Sequence, residues 1–108
     1  MLITVLKSKI HRAVLTDSNL HYSGSMGIDL GIMKKAKISE YEKLLVINVN
    51  TGNRFETYCI QEPEGSGKFA LYGGAARLGI KGDLVIIMTF AEMTPEEAAG
   101  HKPISVNF

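Results

Sequence analysis

The chain of 108 residues predicts a mainly β protein, a small barrel of short strands with only three brief helices. Three observations carry that expectation. Runs rich in Ile, Val, Leu, Thr and Tyr recur along the chain, each short and bounded by Gly, Asn, Asp or Pro. Apolar residues at helical spacing occur only in brief stretches. Ile38 through Ile47 and Ile80 through Ile87 also share one order, an Ile, polar turn residues, an acid and four apolar strand residues, which predicts a pseudo-symmetric barrel. Closing the sheet on itself removes the exposed edges that an open sheet of short strands would present.

Leu2 to Tyr22 reads as strand, turn, strand, with the turn at Thr16 to Asn19. Asp29 then precedes Leu30, Ile32, Met33 and Ala36, a spacing that predicts two helical turns capped by Asp29, with Lys34, Lys35 and Lys37 on the solvated face. Leu44 to Val49 and Arg54 to Ile60 form a predicted hairpin across Asn50, Thr51, Gly52 and Asn53, residues that tolerate turn conformations. A turn-rich stretch from Pro63 to Lys68 leads to a short strand, Phe69 to Leu71. The small residues Gly73, Gly74, Ala75 and Ala76 that follow permit close backbone approach. Leu84 to Phe90 is continuously apolar and predicts a strand buried on both faces. Thr94, Pro95 and Glu97 spell a capping box with proline at the first helical position, and Pro103 to Phe108 is a last strand.

Composition bounds the function. One domain over residues 1–108 is all that this length allows. The formal charge of +1 and the scattered lysines offer no patch for a phosphate backbone, so nucleic acid is not an expected partner, and a basic hairpin module that binds DNA is disfavoured on the same ground. The apolar opening Met1 to Leu6 is cut short by Lys7 and Lys9 and no later run approaches membrane-spanning length, which predicts a cytoplasmic protein without membrane contact. The single Cys59 reads as a small strand hydrophobe. His11, His21 and His101 lack ligand-like spacing, so no metal is expected, and His21 and His101 read as surface residues.

The local feature with chemistry in it is His21, Tyr22, Ser23, Gly24, Ser25. A serine hydroxyl can attack the carbonyl of a preceding glycine, which adopts strained conformations cheaply and has no side chain to block the approach. The peptide would become an ester. Elimination would then leave dehydroalanine at position 25, and hydrolysis with loss of ammonia would give a pyruvoyl group. Gly followed by Ser is common in ordinary turns, so the pair alone decides nothing.

Four further stretches decide more: Lys7 to Arg12 with Asp17 to Ser25 and Ile28, Asp29; Asn48 to Tyr58, ending Arg54, Phe55, Glu56, Thr57, Tyr58; Gly73 to Arg77; and Gly82 to Ile87. In this order and spacing, nearly end to end, the chain resembles the aspartate 1-decarboxylase family. The resemblance implies a double-psi β-barrel with a few short helices, self-cleavage into 1–24 (β chain) and 25–108 (α chain), and a homotetramer with sites between subunits. It implies decarboxylation of L-aspartate to β-alanine and CO2 for pantothenate and coenzyme A synthesis, by a covalent pyruvoyl group made from Ser25, without metal or pyridoxal phosphate. Under it Ser25 and Tyr58 are catalytic, Tyr58 as proton donor, while Gly24, Ser25 and Thr57 serve cleavage. Lys9, Arg54, Thr57, Gly73, Gly74 and Ala75 bind substrate, and His11, Tyr22 and Tyr72 lie near the site with open roles. A maturation helper protein is neither named nor excluded by these residues.

Strand periodicity puts Arg54 and Tyr58 on one face and Thr57 on the other, so that either a bulge redirects Thr57 or it serves the cleavage site from another side. Lys9 and His11 share a face. Two positions depart from the family: Tyr72 stands where Asn is usual, and Gly74 where Ala is more usual. Tyr72 is the best support for a rival reading, a non-catalytic double-psi barrel acting as a binding or assembly module. A second rival is a pyruvoyl decarboxylase for another amino acid, against which Arg54 and Lys9 favour an acidic substrate.

Overall fold

In a computed structural model describing residues 1–108, the apolar runs become eight strands: β1 Ile3–Val14, β2 Asp17–Asn19, β3 Ser25–Asp29, β4 Lys43–Asn48, β5 Arg54–Glu62, β6 Phe69–Tyr72, β7 Leu84–Met93 and β8 Ile104–Asn107. Helix α1 spans Leu30–Ala36, a 3-10 helix Gly73–Leu78, and α2 Pro95–Ala99. The mainly β class and the three short helices are as the sequence predicts.

All eight strands join one sheet in the order β2-β6-β3-β5-β4-β7-β1-β8. Six of the eight are arranged about the antiparallel pair β4/β7, flanked by the antiparallel pairs β4/β5 and β7/β1 and then by the parallel pairs β5/β3 and β1/β8. The pairing pattern of these six strands is therefore symmetric about β4/β7, where the two similar segments of the sequence meet. No ladder joins the edge strands β2 and β8, so hydrogen bonds do not close the sheet as a barrel edge to edge. Side chains bring the ends together instead. Phe69 of β6 meets Phe108, just beyond β8, edge-on at 5.7 Å, and α1 packs against β3 and β5 as well as β1 and β8. The result surrounds one apolar core that includes Ile10, Leu15, Met26, Ile28, Met33, Leu44, Leu71 and Ile87, all essentially inaccessible.

Two expectations need correction. Thr16 to Asn19 is not a turn: Asp17–Asn19 pairs in parallel with Ala70–Tyr72, and the turn falls at Leu20–Gly24, so no second strand continues to Tyr22. Side chains make this possible for so polar a segment. The Thr16 hydroxyl donates to the Phe69 carbonyl at 3.1 Å and accepts from its N–H at 3.0 Å, and the Ser18 hydroxyl lies 3.0 and 2.9 Å from the Ala76 and Gly79 carbonyls. Strand β7 is buried on one face only. Val85, Ile87 and Thr89 point into the core, while Leu84, Ile86 and Met88 are half-buried, because no second layer of this chain covers the outside of the sheet.

The caps behave as predicted. Thr94 and Glu97 complete both halves of the capping box with Pro95 in the first turn. Asp29 does more than cap α1: its buried carboxylate accepts from the N–H groups of Gly31 at 2.8 Å, Gly65 at 3.0 Å and Gly67 at 2.8 Å. It thereby ties the end of β3 to the β5–β6 loop. These donors, Gly67 first, hold the carboxyl below its ordinary value of 3.8 against the opposing effect of burial. A depressed folded value means that this stabilisation is present above the ordinary value and lost as pH falls through the folded one. Asp29→Ala should cost about 2 kcal/mol by strandling three backbone donors, read as a lower Tm at neutral pH, with the gap to wild type narrowing in acid.

Candidate active site

Strand β3 delivers residue 25. Ser25 opens the strand, 3% exposed, directly opposite Tyr72 of β6, while Gly24 remains in the exposed turn before it. The Gly24–Ser25 peptide therefore crosses from an accessible turn into a fixed strand. Upstream, Gly73 secures it: at φ +64° its backbone is left-handed, and a Cβ there would lie 2.6 Å from both Cα and N of Gly24 and 2.8 Å from the Tyr22 carbonyl. Only glycine at 73 lets the two backbone segments touch. The close approach expected of the small residues is made by Gly73, whereas a Cβ on Gly74 would meet nothing within 4 Å. The Ser25 hydroxyl has one long contact, 3.4 Å to the Ser23 carbonyl, which leaves it free to turn toward its neighbour.

Two clefts border this peptide. One of about 460 Å³ contains Ser25 and is walled by Tyr22, Tyr58, Glu62, Lys68 and Tyr72, with Ser23, Ile60 and Gln61. The other, about 430 Å³, contains Gly24, Thr57, Gly74 and Ala75, with Phe55, Glu56 and Leu78 beside them. Tyr58 borders both. The question of Thr57 resolves without a bulge: β5 pairs with β4 in unbroken register from Arg54 to Tyr58, so Thr57 points inward on the Gly24 side while Arg54 and Tyr58 point out. The alternation separates the two roles. Arg54 and Tyr58 share a face but lie about 13 Å apart along the strand.

Lys9 and His11 share a face of β1, as expected, but β1 is separated from β3 by β5, β4 and β7 in the sheet. Neither lines the Ser25 cleft or the Gly24 cleft. At His11 and Arg12 the β1/β7 register shifts, Arg12 has φ +65°, and His11 Nδ1 is buried without a hydrogen-bond partner. His101 is not a plain surface residue: it is half-buried, with Nε2 2.7 Å from the Leu6 carbonyl. No three His, Cys, Asp or Glu side chains converge on a common point, and no helix is long and apolar enough to cross a membrane.

The sequence motifs do not single out Glu62, Lys68, Ile60 or Gln61, which line the Ser25 cleft. Three of the residues bordering the Ser25 cleft, Tyr58, Ile60 and Glu62, follow the two-residue period of β5 on the same face, which was the available signal. Glu62 accepts the Tyr72 phenol at 2.6 Å and lies 3.7 Å from Lys68. Burial first, then the Glu62 carboxylate, pushes the Tyr72 hydroxyl well above the ordinary phenol range.

Comparison with known proteins decides the family. The aspartate decarboxylase family model matches residues 1–108. The chain belongs to the aspartate decarboxylase family. A curated relative from Syntrophobacter fumaroxidans, named aspartate 1-decarboxylase, is 54% identical over 99 residues, covering 92% of this chain and 80% of the relative. Proteins of the same name from Caldicellulosiruptor bescii and Clostridium botulinum are 54% and 50% identical over 103 residues, covering 95% of this chain and 80% and 81% of theirs.

Cys59 is fully buried on β5, and burial, then the charges of Glu40 and Glu42, pushes its thiol up to about 12. That suits a packing role. Folded protein should therefore resist a thiol reagent at about pH 8 and take up one label per chain only when unfolded, as followed by mass.

Proposed function

We propose that this chain is an aspartate 1-decarboxylase precursor that cuts itself between Gly24 and Ser25 and then converts L-aspartate to β-alanine and CO2 for pantothenate synthesis. The observation that carries the reading is the seating of the Gly24–Ser25 peptide, with Gly73 against Gly24, Tyr72 paired with Ser25, and a cleft bordering each of the two residues. In maturation, the Ser25 hydroxyl adds to the Gly24 carbonyl and the acyl group moves from nitrogen to oxygen. Thr57, in the cleft on the Gly24 side, is suited to stabilise the oxyanion formed there. Loss of the Ser25 α-proton expels Gly24 as a carboxylate. The dehydroalanine left at position 25 takes up water and releases ammonia, dividing the protein into 1–24 and 25–108.

The pyruvoyl group retains the three-carbon skeleton of serine, so the buried start of β3 beside its cleft fits it. When present, it supplies a ketone that bonds the substrate amine and draws electrons from the departing carboxylate. The chain's own side chains do the rest. Tyr58, at the boundary of both clefts, is assigned proton return to the substrate carbon. Arg54 and Lys9 are assigned the substrate carboxylates, the planar guanidinium offering two parallel donors. Gly74 and Ala75, assigned to substrate binding with Gly73, line the Gly24 cleft, and Gly73 lies against Gly24 itself. Lys9 and His11 line neither cleft of this chain, and a homotetramer whose sites lie between subunits would let another copy supply them. A cytoplasmic location belongs to the same reading.

Intact-mass spectrometry of purified protein after warm incubation tests this. Wild type should give two fragments, ending at Gly24 and beginning at residue 25, the latter lighter than a serine start by one ammonia, and the cut protein should release CO2 from aspartate. Ser25→Ala should stay whole and inactive. A wild-type chain that remains uncut and inactive would fit a non-catalytic barrel and contradict the proposal.

A further inference from the structure

Glu62 belongs to none of the roles assigned above, yet it is built into the wall of the Ser25 cleft. Its side chain lies back across β3 over Gly27, where a Cβ would overlap the carboxylate itself. The strand thus leaves room for an acid two residues from Ser25. Only 11% of the Glu62 side chain is exposed, and its two oxygens face different partners: one accepts the Tyr72 phenol at 2.6 Å, and the other lies 3.7 Å from the Lys68 ammonium, too far for a direct hydrogen bond. The short, charge-assisted contact is the one to Tyr72.

Tyr72 in turn touches both ends of the segment that carries the scissile peptide. Its backbone pairs with Ser25, its ring meets the Tyr22 ring edge-on with centroids 5.5 Å apart, and Gly73, the next residue, lies against Gly24. Holding the ring at 72 therefore fixes one side of the 22–25 segment while the backbone at 73 fixes the other. An amide at position 72 would have a shorter stem than the phenol and no ring to pack on Tyr22. The phenol needs an acceptor at that distance, and Glu62 over Gly27 provides it.

Resting on the self-cleavage reading, we propose that Glu62 is a positioning residue for cleavage, acting through its hydrogen bond to Tyr72 to hold residues 22–25 in the conformation from which Ser25 attacks Gly24. Cleavage rates by intact mass, with Tm measured alongside, test it on full-length protein. Glu62→Ala and Tyr72→Phe should each cut about tenfold more slowly than wild type, and the double variant no more slowly than the slower single one, because both remove one bond. Tenfold corresponds to about 1.4 kcal/mol in the barrier. Glu62→Gln, whose amide oxygen still accepts the phenol, should recover to within about threefold of wild type.

A purely structural role would lower Tm and leave the cutting of the folded fraction unchanged; that pattern overturns the proposal, as do independent effects that multiply in the double variant. If Glu62→Ala does not fold, Tyr72→Phe, which removes a single oxygen, carries the same test. Wild type that cuts beside variants that cut equally fast overturns this proposal alone. Wild type that stays whole overturns the self-cleavage reading and this proposal with it.

Discussion

The contact between Gly24 and Gly73 is the constraint around which the candidate site is arranged. Two backbones approach so closely that a single methyl group at 73 would displace one of them, and the left-handed conformation at 73 disfavours most other residues for a second reason. Just beside it, Ser25 enters β3 and pairs with Tyr72. A peptide bond held on both sides, with an accessible turn before it and a buried strand after it, has little conformational freedom left. That loss of freedom is what an intramolecular attack requires, because the nucleophile and the carbonyl belong to adjacent residues and only their relative orientation must be set.

The sheet order then divides the labour. β3, β5 and β6 hold Ser25, Thr57, Tyr58, Glu62 and Tyr72 together, and the 3-10 helix after β6 adds Gly73, Gly74 and Ala75. Lys9 and His11 stand on the other arm, across the central β4/β7 pair. Within β5 the strict alternation sends Thr57 inward to the Gly24 cleft and Tyr58 outward to the rim shared with the Ser25 cleft. One strand thus serves both clefts without any irregularity. Asp29 anchors the far end of β3 by three backbone hydrogen bonds, so the strand that begins with the reactive serine is fixed at its other end as well.

Much of this was legible in the residues. The hairpin β4–β5, the cap at Asp29, the capping box at Thr94 and the last strand follow from turn chemistry and side-chain hydrogen bonding, which act locally. The close approach at Gly73 was legible as small residues, though not which glycine makes it. What failed was long-range. The polar run at Thr16–Asn19 reads as a turn because its partners, β6 and the 3-10 helix, lie far along the chain, and their carbonyls satisfy Thr16 and Ser18. The outer face of β7 reads as buried because apolar content does not say whether a second layer covers it. Glu62 escaped notice because an isolated acid on a strand looks solvated until Gly27 is seen to vacate the space it occupies.

The most direct measurement is the self-cleavage of Gly73→Ala, followed by intact mass on protein shown to be folded by its circular dichroism and melting transition. The added methyl must push Gly24 or the Tyr22 carbonyl away, so the account predicts a folded chain that stays whole or cuts at least about tenfold more slowly than wild type. A folded Gly73→Ala that cuts at the wild-type rate would contradict it, because the Gly24–Ser25 peptide would then react without the contact said to hold it.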